Sequence, residues 1–128
     1  MNVLWLQSGG CGGCSMSLLC ADTADFPAML EAGGIEMLWH PSLSMESGRE
    51  LITLLADCRA GRRRLDVLCV EGALLRGPNG TGRFHLLAGT GVPMIGWVRE
   101  LAVVATHVVA VGSCAAWGGI TATGPNVT

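Results

Sequence analysis

The chain has 128 residues, half of them hydrophobic, and a formal net charge of -2. This length fits one domain that buries about two thirds of its unfolded surface, no apolar run approaches the ~20 residues of a bilayer span, and the near-neutral charge gives no electrostatic reason to expect nucleic acid as a partner. Six cysteines without an evident disulfide framework or export signal favour a cytoplasmic location, with thiols used for metal or redox chemistry.

The first predicted element is a strand, Asn2 to Gln7, which is short and uniformly apolar like the central strands of parallel sheets. It leads into a glycine-rich segment that carries Cys11 and Cys14. Glycines allow the backbone to approach whatever the two thiols hold. A helix is predicted to begin near Cys14 and to fade by Ala24, and N–H groups at its start would face an anion.

Helices and strands alternate along the rest of the chain. A second helix is predicted to begin at Asp25 as N-cap and to stop at Gly33, and a third, over 47–60, begins with Ser47 and Glu50 at the spacing of a capping box. Strands are predicted over 35–40, 65–70 and 107–111, and a helix over 92–105 with an apolar face of Ile95, Val98, Leu101, Ala102 and Ala105.

Two polar segments interrupt this pattern. Arg62-Arg63-Arg64 is interpreted as a solvated turn between helix and strand, in preference to a site for phosphate or an acidic partner. The segment 73–91 is longer than most connections in compact domains, which favours a functional or partner-binding loop.

The alternation predicts an α/β fold, a doubly wound parallel sheet with right-handed crossovers. Such sheets bind ligands beyond the carboxyl ends of their strands. Cys11, Cys14, Glu71 and Cys114 each follow or end a predicted strand. The topology therefore predicts that they meet at one edge of the sheet.

Three thiols at one edge fit three kinds of site. A structural zinc site usually has a second pair of cysteines or histidines, which is absent from this pattern. A thioredoxin-like dithiol uses the Cys11/Cys14 spacing but leaves Cys114 unexplained. A cubane iron–sulfur cluster suits the glycine-rich loop but takes four thiolates, of which three are present here.

The other titratable residues have weaker signals. Cys20, Cys58 and Cys69 are expected to be buried structural thiols. Glu71 is interpreted as a proton carrier, a cap for backbone N–H groups or the partner of a basic residue. His40 and His85 are expected at the surface or an interface, and no role is predicted for His107.

Several motifs occur together in one order along the whole chain. They are Val3-Leu4-Trp5-Leu6-Gln7 with Cys11 and Cys14, Trp39-His40-Pro41, Val70-Glu71-Gly72, Gly77-Pro78-Asn79-Gly80, and Val111-Gly112-Ser113-Cys114-Ala115-Ala116-Trp117-Gly118-Gly119-Ile120. With these motifs the chain resembles the N-terminal portion of the small subunit of nickel–iron hydrogenases. It looks most similar to the cytoplasmic, hydrogen-sensing (regulatory) type.

The resemblance implies a flavodoxin-like domain over 1–128, incomplete because it lacks the last strand and the C-terminal iron–sulfur domain of the family. Cys11, Cys14 and Cys114 match three ligands of the proximal four-iron four-sulfur (4Fe-4S) cluster, whose fourth ligand lies outside this chain. The nickel–iron centre belongs to a large subunit, the expected partner, and a signalling histidine kinase is a further expected partner. The chain would carry electrons without cleaving hydrogen, the fragment alone would be inactive, and Glu71 matches an interface glutamate and possible proton relay.

Three departures from the family pattern change these expectations. Met16 stands where many members have a carboxylate, which argues against a proton route there. Gly13 and Gly119 occupy the positions of the extra thiols in six-cysteine clusters, which favours an ordinary four-cysteine cluster. The early end leaves the last predicted strand as an open edge, so we expect another part of the protein, the large subunit or a second copy to cover it.

Two other functions are compatible with the sequence. One is a flavodoxin-like module whose glycine loop holds a phosphate or a flavin. The other is a metal-free interaction scaffold. Replacing the cysteines distinguishes these two functions from that of a cluster-holding hydrogenase subunit, because only a cluster protein loses its iron when they are replaced.

Overall fold

The computed structural model describes residues 1–22 and 25–125. The elements are β1 (Asn2–Gln7), α1 (Gly13–Leu19), α2 (Phe26–Ala32), β2 (Glu36–Trp39), α3 (Arg49–Arg59), β3 (Val67–Glu71), α4 (Met94–Val104), β4 (His107–Val111), α5 (Gly112–Trp117) and a short 3-10 helix (Gly119–Ala122). The alternation of strands and helices predicted from the sequence is confirmed.

The four strands form one parallel sheet in the order β2-β1-β3-β4. Each residue of β3 pairs in register with β4 from Val67↔His107 to Glu71↔Val111, and β1 pairs with β3 from Val3↔Val67 to Gln7↔Glu71. β1 lies inside the sheet, and its central residues Val3 to Leu6 are apolar and buried, as predicted for such a strand. The carboxyl ends of β1, β3 and β4 share one edge of the sheet.

The two faces of the sheet bury different side chains. Leu4, Leu6, Leu68 and Val70 pack against α3 and α4 in the larger core. Val3, Trp5 and Cys69 form the smaller core on the opposite face, together with Leu18 of α1. This alternation follows from the two-residue period of a strand. The packing of α1 on the smaller core places the start of α1 over the edge where β1 and β3 end.

The structure corrects two details of the predicted helices. The capping box is wrong: α3 begins at Arg49 after Gly48, whose φ of 55° turns the chain, and Ser47 provides no side-chain cap. The buried face of α4 consists of Met94, Trp97, Val98 and Leu101. Trp97 was missing from the predicted face because its indole is covered from another helix, with the Arg59 guanidinium 4.9 Å from the ring centre.

The helix predicted to fade by Ala24 ends at Leu19, and Ala24 itself lies outside the described residues. Asp25 and Gly33 flank α2 as predicted, although Asp25 makes no side-chain cap. Among the described residues, no helix combines the length and the hydropathy needed to span a bilayer.

Candidate metal centre

Three thiols from two distant parts of the chain lie at the carboxyl edge of the sheet. Cys11 is in the loop after β1, Cys14 is in the first turn of α1, and Cys114 is in α5 directly after β4. Cys11 and Cys114 line one cavity of about 310 Å³, together with Gly9, Gly10, Gly118, Ile120 and Thr121. Cys14 lies against Gly112, two residues before Cys114. The structure therefore brings together the three cysteines that the topology predicted to meet.

Glycines provide the space that these sulfur atoms occupy. A Cβ atom added to Gly112 would lie 2.3 Å from Cys14 Sγ, and one added to Gly119 would lie 2.7 Å from Cys114 Sγ. Both glycines also have positive φ angles, 78° and 57°, which side-chain-bearing residues rarely adopt. The sulfur atoms are packed against bare backbone, the environment that a thiolate-bound cluster needs for N–H donors to reach it.

The electrostatics of Cys14 reflect its crowded position. Burial raises the pKa of the Cys14 thiol, and the neighbouring Glu71 carboxylate and the Cys11 and Cys114 thiols raise it further. Without a cation at the site, Cys14 is therefore protonated at neutral pH. A bound metal reverses this preference, because coordination stabilises the thiolate.

The arrangement differs from that of a site for a single ion. Within 1–22 and 25–125, no three histidine, cysteine, aspartate or glutamate side chains meet as ligands of one metal ion. Each iron of a four-iron cluster takes its own thiolate. The ligands of a cluster therefore surround a volume. Cys11 and Cys114 line one cavity here, and Cys14 Sγ packs against Gly112, two residues before Cys114, so the residues present fit that requirement.

Glu71, the last residue of β3, is 2% exposed and accepts four hydrogen bonds from the described part of the chain. Its Oε1 accepts from the backbone N–H groups of Cys14 and Ser15, both at 3.1 Å. Its Oε2 accepts from Trp5 Nε1 at 3.0 Å and from Ser15 Oγ at 2.5 Å. Burial alone would raise the pKa of Glu71, but the hydrogen bonds together lower it. Of the three roles predicted for Glu71, the contacts support the cap; the proton relay stays a prediction.

His40 is fully buried, with 0% exposure, so the expected surface or interface position is wrong. The imidazole packs against the ring of Trp5 at 5.0 Å between centres and against Phe26 at 6.3 Å. Its Nδ1 accepts from the Ser42 N–H at 3.1 Å, and its Nε2 lies 3.4 Å from Ser15 Oγ. The burial lowers the pKa of His40, while the nearby Glu71 carboxylate opposes that shift.

Sequence reasoning missed Ser15, Trp5 and His40 as parts of this site. One signal was available for His40: it directly follows β2, at the same edge of the sheet as the thiols. Ser15 and Trp5 carried no such signal, because their role depends on where Glu71 lies.

The remaining candidates lie elsewhere. Cys58 and Cys69 are buried as expected, whereas Cys20 is exposed, because α1 ends at Leu19 and leaves Cys20 at the surface. His107 begins β4 at the opposite edge, and His85 Nδ1 lies 3.2 Å from Ser8 Oγ. The three arginines pair with carboxylates of this chain, Asp57, Glu36 and Asp66 respectively, as the solvated-turn interpretation requires.

Comparisons with known proteins identify the family and the fold of this chain. Residues 11–128 match the family described as NADH ubiquinone oxidoreductase, 20 Kd subunit. The chain is 34% identical over 134 residues to the F420 non-reducing hydrogenase II small subunit of Methanosarcina mazei, a match that covers 94% of this chain and 33% of that protein. It is 32% identical over 134 residues to the periplasmic [NiFeSe] hydrogenase small subunit of Desulfomicrobium baculatum, covering 98% of this chain and 42% of that protein.

A solved structure with the same fold is the actinobacterial-type NiFe-hydrogenase from Ralstonia eutropha H16. It superposes with a TM-score of 0.82 and 27% identity, over 99% of this chain and 40% of that chain. The present chain thus spans about a third of the length of the first curated relatives that it matches. The chain belongs to the family of the NADH ubiquinone oxidoreductase 20 Kd subunit and corresponds to the N-terminal, flavodoxin-like portion of nickel–iron hydrogenase small subunits.

Proposed function

We propose that this chain holds the 4Fe-4S cluster that passes electrons from a hydrogenase large subunit, which itself carries the nickel–iron centre. Cys11, Cys14 and Cys114 are three ligands in this proposal, and the fourth thiol lies outside the chain. The convergence of these thiols, which come from the ends of β1 and β4, is the observation that supports it. Such a cluster supplies one-electron transfer when bound.

The chain's own residues position this group. Glu71 fixes the start of α1 through the backbone N–H groups of Cys14 and Ser15. Gly112 and Gly119 keep side chains away from the ligand sulfurs. The exposed Trp117 and Ile120, on either side of the Gly118-Gly119 turn next to Cys114, provide an apolar surface for the large subunit.

The proposal also includes hydrogen sensing coupled to a histidine kinase, and a cytoplasmic location. These finer assignments come from the sequence motifs.

The test is iron content in the full-length small subunit, purified anaerobically with its large subunit. We expect Cys114→Ser to lose the cluster that involves this domain, measured by iron and sulfide analysis and by Mössbauer spectroscopy. Cys20→Ser is the matched control, because Cys20 is exposed and outside the site, and it should keep the wild-type iron content. Zinc in place of iron, a bound flavin, or unchanged iron in Cys114→Ser would refute the proposal.

A further inference from the structure

A buried chain of hydrogen bonds connects β2 to the cysteine loop through three side chains. His40, Ser15 and Glu71 are each at most 2% exposed. Ser15 Oγ lies 3.4 Å from His40 Nε2 and donates to Glu71 Oε2 at 2.5 Å. These residues are 25 and 56 positions apart along the sequence, so only the fold creates the chain.

The donors in this chain have a fixed direction. His40 Nδ1 accepts from the Ser42 N–H, so the neutral imidazole carries its proton on Nε2. That N–H points to Ser15 Oγ, whose own hydrogen then points to the carboxylate. A hydrogen-bonded hydroxyl is polarised by its own donor, which strengthens its bond to an anion. His40 therefore acts on Glu71 through Ser15.

Glu71 is also the carboxylate that faces Cys14. Its Oε1 accepts the Cys14 N–H, and among the charged groups it is the largest contributor to the raised pKa of that thiol. The same charge disfavours any added electron on a metal group bound to Cys14, because both are negative. The low exposure of Glu71 weakens screening by water and salt.

We propose that Glu71 is a fixed negative charge that lowers the reduction potential of the group held by Cys14, and that Ser15 and His40 are positioning residues that set how far this charge is neutralised. The inference rests on the proposed function. It assigns opposite effects to neighbouring residues: removing the charge raises the potential, whereas removing a donor to the charge lowers it.

The experiment is a redox titration of the holoenzyme, followed by the EPR signal of the reduced cluster, with iron content measured on each sample. We expect Glu71→Gln to raise the midpoint potential and Ser15→Ala to lower it. His40→Ala should lower the midpoint potential by less than Ser15→Ala, because His40 reaches Glu71 only through Ser15. Ser15→Thr and His40→Gln retain a donor and should restore the wild-type potential. Thr53→Ala, on an exposed residue of α3 away from the thiols, is the control and should leave it unchanged.

If Glu71 and Ser15 only maintained the fold, their replacements would shift the midpoint potential in the same direction, or would lose iron without shifting the potential. Glu71→Gln and Ser15→Ala with full iron content and equal or unshifted potentials therefore overturn the inference and leave the proposed function intact. If Glu71→Gln does not assemble, the Ser15 and His40 variants decide the question by the same criterion. A wild-type protein without iron overturns both.

Discussion

At the scale of single residues, the two glycines that touch ligand sulfurs are the most exacting positions of the site. Gly112→Ala would introduce a methyl group 2.3 Å from Cys14 Sγ at a φ of 78°. The backbone strain alone costs about 1–2 kcal/mol. The clash also displaces the sulfur, so we expect the iron content of the purified subunit to fall sharply.

Gly61→Ala is the matched control for this prediction. Gly61 has a similar φ of 71°, but an added Cβ would meet no atom within 4 Å. This variant should therefore show the strain cost in its unfolding free energy and keep its iron. Equal iron loss in the two variants would show that strain, and not contact with the thiol, governs the site.

The buried His40 makes stability depend on pH. Its pKa is lowered in the folded chain by burial, so the unfolded chain binds a proton first as the pH falls through about 6.5. The free energy of unfolding should be highest above that pH and should decline below it, by at most about 1.4 kcal/mol per pH unit for one proton.

Thermal unfolding of the subunit between pH 5.5 and 8 measures this effect. His40→Gln removes the titrating group and should flatten the decline. A decline that persists unchanged in His40→Gln would assign it to other groups.

At the scale of elements, β4 is an exposed edge strand of the sheet in the described residues. Val108 and Val109 are exposed on opposite faces of this strand, and within 1–22 and 25–125 its one sheet partner is β3. An open, apolar edge strand is a template for pairing with other chains. The prediction that something covers this strand therefore remains in force.

We expect chain 1–128 on its own to self-associate through β4. Val109→Lys should lower the light scattering of this fragment, because a charge on an edge strand blocks pairing. In the full-length subunit the same change should impair folding if further chain covers the strand. Thr53→Lys, on the exposed side of α3, should have neither effect, and equal scattering by all three fragments would locate self-association elsewhere.

At the scale of the whole molecule, the proposed function requires a docking surface beside the cluster. Trp117 is 83% exposed and Ile120 is 91% exposed, next to the cavity that Cys11 and Cys114 line. Large exposed apolar residues of this kind mark protein interaction sites.

Trp117→Glu should therefore weaken assembly with the large subunit by at least tenfold, since a central aromatic residue commonly contributes about 2 kcal/mol or more to binding. The iron content of the small subunit should change little, because Trp117 is not a ligand in the proposal. Co-purification and size-exclusion chromatography measure the assembly. Met29→Glu, an equally drastic change on α2, should assemble normally; if it fails as well, the loss is not specific to this surface.

The sequence by itself determined the strands, the parallel sheet and the shared edge of the three thiols. Apolar runs and glycine turns are local signals, and the topology of doubly wound sheets converts them into a spatial prediction. β1 and β4 have the predicted bounds for this reason. Cys11, Cys14 and Cys114 could thus be selected before any coordinates were known.

Only the tertiary structure decided the surroundings of those thiols. Glu71 is held by Trp5 and Ser15 across 66 and 56 residues, His40 is enclosed by rings from β1 and α2, and Cys20 is exposed because α1 ends early. The surroundings of Glu71 and His40 have no local pattern, because the burial and charge of a side chain depend on what distant segments place around it.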